Sequence, residues 1–196
     1  MTDFFTMASL VFVVGSGIRL ATPFLLAADR ADAALMHLLL ELGADPFIPN
    51  LNHTTPLMAA AGLGTAAPEE EAGTEPEALI ATRLLLDLGA DINAVNDACD
   101  TAMHGAAYGS FPTVVQLLAD HGADIDIWNQ KNEQGRTPLF IAEGHRGGLP
   151  RLSRATIEAI TVLMDGAGVS TVGERPPIVD QYAPKPAEPP KTPQKP

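Results

Sequence analysis

Short apolar runs alternate with polar, turn-forming stretches over most of the chain, and the runs come in two kinds. The first opens on threonine and closes on small residues: Thr22-Pro23-Phe24-Leu25-Leu26-Ala27-Ala28, Thr55-Pro56-Leu57-Met58-Ala59-Ala60-Ala61, Thr101-Ala102-Met103-His104-Gly105-Ala106-Ala107 and Thr137-Pro138-Leu139-Phe140-Ile141-Ala142-Glu143. The second is Leu-Leu-Glu-Leu-Gly-Ala-Asp at 39–45, with near copies at 85–91 and 117–124 and a decayed copy at 162–168. Each kind predicts a short helix. Thr before Pro sets a capping hydroxyl ahead of a residue whose fixed φ suits the first helical turn. Glycine after the second run can take the left-handed conformation that ends a helix. The intervening Asn, Asp, Gly and Pro supply turn chemistry. One unit therefore reads as helix, loop, helix, turn.

The spacing is regular. Thr22 to Gly43 and Thr101 to Gly122 each span 21 residues, and Thr22 to Thr55 and Gly89 to Gly122 each span 33. Two units are longer. Thr55 to Gly89 carries 13 extra residues, and counting to Gly166 gives the last unit 8 extra. Both excesses fall between the two runs, so they predict longer interhelical loops at Gly62–Leu79 and Gly144–Ala155 on one flank, opposite the turn tips. A fixed period with this internal grammar means a solenoid.

Thr-Pro-Leu-x-x-Ala-Ala followed by Leu-Leu-x-x-Gly-Ala-Asp at this period resembles the ankyrin repeat, over residues 22–168. The resemblance implies an all-α solenoid of about four units, near 22–54, 55–100, 101–136 and 137–168, in which Thr22, Thr55, Thr101, Thr137, Gly43, Gly89 and Gly122 are structural. It implies the same of His104, which stands in the histidine slot that ties neighbouring turns together. Leu25, Met58 and Phe140 replace that histidine elsewhere, which should loosen the hairpin side. The long loops and Gly-His-Arg-Gly-Gly at 144–148 look like bacterial members of the family. The resemblance further implies a non-catalytic scaffold that binds a protein on its concave surface, with contacts at turn tips and first-helix ends. Asn50, Asn52, His53, Asp97, Tyr108, Trp128, Lys131 and Arg136 are the candidates here. Trp128 is the lone tryptophan, and packing on its own hairpin is the balanced alternative. A second reading makes the chain a fragment or accessory module of a larger exported bacterial protein.

Composition narrows the chemistry. Apolar residues form 46% of the chain but aromatics only 5%, so the core must be built mainly from Leu, Ala, Val and Ile. The net charge of −12 argues against a phosphate-binding track and hence against nucleic acid. One cysteine, Cys99, excludes an internal disulfide and a Cys-based zinc site. The five histidines show no metal-ligand spacing. Gly62-Leu63-Gly64 follows no strand and precedes no lysine, so it is not a phosphate cradle. Every catalytic constellation that can be assembled is weak, which points away from an enzyme, and no cofactor is expected. The acidic run Glu69-Glu70-Glu71, continued by Glu75 and Glu77, reads as a solvated loop. It could attract Arg146, Arg151 and Arg154 of the other insertion.

The ends differ from the repeats. Residues 1–21 form an apolar segment in which Phe4 to Ile18 carries no charge. A cap or truncated upstream unit is the preferred reading, ahead of a leader. Asp3 stands where a leader needs positive charge, and the run is shorter than the roughly 20 residues of a spanning helix. Ala155 to Met164 reads as an amphipathic closing helix. Residues 169–196 are expected to form a proline-rich disordered tail, whose Pro186-x-x-Pro189-x-Lys191 reads as spacer rather than ligand. The expected state is a monomer, and the balance leans to the cytoplasm with export left open.

Overall fold

The computed structural model describes residues 20–65, 73–145 and 152–172. The expectations placed on residues 1–19, 66–72, 146–151 and 173–196 lie outside these. The described chain is helical, with no strand among the described residues. In order, the helices are α1 (Pro23–Asp29), α2 (Ala33–Glu41), α3 (Pro56–Ala60), α4 (Glu75–Asp87), α5 (Ala102–Gly109), α6 (Pro112–Asp120), α7 (Ile125–Trp128), α8 (Pro138–Ala142) and α9 (Arg154–Gly166).

Four pairs stack: α1 with α2, α3 with α4, α5 with α6, and α8 with α9. The first helices form one layer (α1, α3, α5, α8) and the second helices another (α2, α4, α6, α9). The core lies between the layers. Ala28, Ala61, Ala107 and Ala142 allow close approach, and Met36, Leu85, Leu118 and Ile160 fill the space left. Each threonine starts its helix. Thr22, Thr55 and Thr137 accept the third helical N–H at 3.1, 3.3 and 3.3 Å, and Thr101 forms a reciprocal capping box with His104. Gly43, Gly89 and Gly122 end the second helices at φ of 83°, 90° and 88°.

Three expectations about the long units change. The decayed repeat ends on Gly168, not Gly166: Gly166 is helical, Gly168 has φ 69°, and Val169 N–H closes onto Met164 O at 2.8 Å. Measured to Gly168, the last excess is ten residues. Val169 also packs on the core, so the fold runs one residue into the expected tail. Part of each excess is helix rather than loop, because α4 and α9 have 13 residues where α2 and α6 have 9. Glu75 and Glu77 accordingly sit in the first turn of α4, where carboxylates favour the dipole. Glu77 accepts from Thr74 N–H at 2.8 Å, and this bond holds its carboxyl below the usual range. Glu75 reaches into the next unit and accepts from Thr113 N–H at 2.8 Å and its hydroxyl at 2.7 Å, standing in for the cap that Phe111 cannot provide to α6.

Candidate partner-binding surface

The turns between units share one frame, built on three asparagines that lie five residues ahead of the capping threonines. Asn50 Oδ1 accepts from Asn52 N–H and Thr54 N–H at 3.0 and 2.9 Å. Asn96 does the same for Ala98 and Asp100 at 3.0 and 2.8 Å. Asn132 repeats it for Gln134 and Arg136 at 3.1 and 3.0 Å. Three residues further on from each asparagine, His53, Cys99 and Gly135 turn the chain at φ of 57°, 61° and 75°. All three asparagines are buried, because an amide that brackets two N–H groups must lie inside its own turn.

The tips also hold one another. Asp97 N–H donates to Asn52 O at 3.1 Å, and Glu133 N–H donates to Ala98 O at 2.8 Å. Asn96 Nδ2 donates to Thr54 Oγ1 at 3.1 Å, and Asn132 Nδ2 to Asp100 Oδ1 at 2.8 Å. At the base of the turns Asn93 Oδ1 accepts from Asp124 N–H at 2.8 Å. These bonds link the tips even where Leu25 and Met58 replace histidine. Burial raises the pKa of Asp100 against the lowering effect of Asn132 and Arg136.

His104 is fully buried. Its Nδ1 accepts from Thr101 N–H at 3.2 Å, which leaves Nε2–H to donate to Gln130 O at 3.2 Å and tie α5 to the following hairpin. Desolvation lowers its pKa to about 4, so the imidazole is neutral at pH 7. That is the environment of a structural histidine rather than of a proton donor.

Of the eight candidate contacts, two are not on the surface. Asn50 is the first turn bracket. Trp128 ends α7 and is only 3% exposed, packed in the main core. The third turn is three residues longer than its counterparts, Gly122 to Thr137 against Gly43 to Thr55. The extra chain folds into α7 and carries the indole inward. Asn52, His53, Asp97 and Lys131 are exposed. His53 Nδ1–H and Asp97 Oδ1 meet at 2.7 Å across adjacent tips, so two candidates act as one feature. Tyr108 and Arg136 are half-buried and converge on Gln134, the hydroxyl at 3.5 Å and the guanidinium by a short contact. Leu51, Val95, Glu133 and Gln134, which lie in the same turn tips but are not among the eight candidates, are exposed as well. The constant spacing from asparagine to threonine was the signal that separates bracket from tip.

A model of ankyrin repeats in three copies matches residues 75–163, from α4 through most of α9. The chain contains ankyrin repeats. The same pairing, threonine caps and left-handed glycines extend through α1, α2 and α3, ahead of the matched region. No curated protein matches the sequence. Ankyrin repeats are in general protein–protein interaction modules and typically not enzymes. Among the described residues no group of three or more His, Cys, Asp or Glu could hold a metal ion. No described helix is long and apolar enough to cross a membrane.

Proposed function

We propose that this protein is a non-catalytic scaffold that binds a protein partner along the line of its turn tips and the adjoining ends of the first helices. One observation carries the reading: exposed side chains stand on a backbone that is already bonded from tip to tip. A surface ordered in advance loses little entropy on binding. Along that line Leu51 and Val95 are exposed apolar groups. His53, Asp97, Lys131 and Glu133 flank them with polar groups, and the Tyr108–Gln134–Arg136 cluster closes one end. Buried apolar anchors inside a polar rim give an interface its energy. The net charge of −12 steers a cationic partner toward the protein without setting where it docks.

The test is capture of partners by the full chain from its own source cells, with three baits compared. Val95→Asp and Lys131→Glu should lose the partner that the wild type retains. Val162→Asp, an exposed apolar position on α9 away from the tips, should retain it. Loss with Val162→Asp but not with the tip variants would overturn the reading.

A further inference from the structure

The two ends of the stack, among the described residues, are chemically unlike. Aligning the second helices on their terminal glycines makes Leu35, Ala81, Val114 and Ile160 equivalent. Ala81, Val114 and Ile160 are 0% exposed, whereas Leu35 is 41% exposed. Leu38 is 50% exposed where its equivalent Leu117 is 4%. Each inner second helix has the helix of an earlier unit packed ahead of it, and among the described residues α2 has none. On α1 the pattern repeats: Leu26 is half-buried where Ala59, Gly105 and Ile141 are buried. Gly105 shows the direction of this position, because a Cβ there would lie 2.9 Å from Met58 O and Leu63 N of the unit before.

The opposite end is polar. Three residues before the terminal glycine, Leu40, Leu86 and Ala119 are half-buried in the earlier units, whereas Asp165 in the last is exposed. Glu143 likewise takes the place of Ala28, Ala61 and Ala107. One face of the stack is thus finished for water, and the other is finished for contact with protein.

The geometry points to an occupant for the α1–α2 face: the chain's own apolar stretch Phe4–Ile18. This stretch has the chemistry that the face lacks, fifteen residues without a charge, so burying it strands no ion. As a helix its first eleven residues, Phe4–Val14, would reach about 16 Å, enough to cross the roughly 14 Å of α2. Gly15-Ser16-Gly17 is turn-forming sequence at the join with α1, where such a segment must reverse onto the stack. The segment takes the place of a preceding unit and removes Leu26, Leu35 and Leu38 from water.

Cysteine trapping in the full chain tests this. Cys99 is exposed, so it is first replaced by serine. Leu38→Cys is then combined in turn with Val11→Cys, Phe12→Cys, Val13→Cys and Val14→Cys, which sample one helical turn. A tethered segment has an effective concentration of order mM, so at about 1 μM protein an intramolecular disulfide should form at least about tenfold faster in one pairing than with Val162→Cys in place of Leu38→Cys. Disulfide-linked dimers through Leu38→Cys alone would assign the face to a second copy and overturn the proposal. Equal rates for the Leu38→Cys and Val162→Cys series would overturn it too, leaving the face to another chain or an upstream unit. Independently, Leu35→Asp and Phe12→Asp should each lower the urea midpoint, and the double variant should lower it little further.

Discussion

Gly105 offers the sharpest test of how the units are packed, because two local rules oppose each other there. It lies inside α5, where alanine is the better helix former by about 1 kcal/mol. A Cβ at this point, however, would stand 2.9 Å from Met58 O and 2.9 Å from Leu63 N. Both are backbone atoms of the preceding unit, so no side chain can swing aside; α5 must move back from α3 by about half an ångström. Overpacking against backbone atoms falls in the upper part of the usual range, about 2–3 kcal/mol, which exceeds the propensity gain of about 1 kcal/mol. Gly105→Ala is therefore expected to destabilise by about 1–2 kcal/mol, a fall in Tm of roughly 3–8 °C for a domain of this size. Gly166→Ala is the control. It is also helical, but nothing lies within 4 Å of its Cβ position, and it should gain up to about 1 kcal/mol. Urea titrations followed by helical circular dichroism measure both, with the slope reported beside the midpoint. A lower slope for Gly105→Ala would mean that units one and two have uncoupled from the rest. A Gly105→Ala protein as stable as the wild type would refute the close approach of α3 and α5.

Three further outcomes follow from single contacts. Thr82 is fully buried in α4 and its hydroxyl has no hydrogen-bond partner, so the isosteric Thr82→Val should raise stability by about 1 kcal/mol in the same titration. His104 is held neutral with a pKa of about 4, so the unfolded chain binds the proton first. Stability should fall as pH drops from about 7 toward 4, by at most about 3 kcal/mol from this group. Asp100, with its raised pKa, acts in the opposite sense at the acid end of that window. His104→Ala should flatten the pH profile and cost about 1–3 kcal/mol at pH 7, more than His53→Ala at the exposed tip; equal midpoints for the two would contradict the placement. Glu75→Ala should cost about 1 kcal/mol through loss of the cap on α6, and hydrogen exchange at Thr113 should accelerate most.

What the sequence determined by itself was everything governed by near neighbours. A threonine ahead of proline caps the helix that it begins, and a glycine in the left-handed region ends the helix behind it. Both act within four residues, so the helix pairs and their period were legible before any packing was known. The same locality explains the misreading of the last unit, where two glycines stand two residues apart at 166 and 168 and only the hydrogen bond from Val169 to Met164 chooses between them. The site was less legible, because burial is decided by what lies across the stack. Trp128 sits in turn-like sequence, yet the three extra residues of its hairpin let α7 form and bring it against the core. Asn50 and Asn52 read alike as tip residues, and one faces into its turn while the other faces water. Glu75 read as loop charge and became the cap of a helix 38 residues on. Leu35 has the sequence of an inner position and the exposure of an outer one, since a repeat encodes its interface whether or not a neighbour is there to fill it.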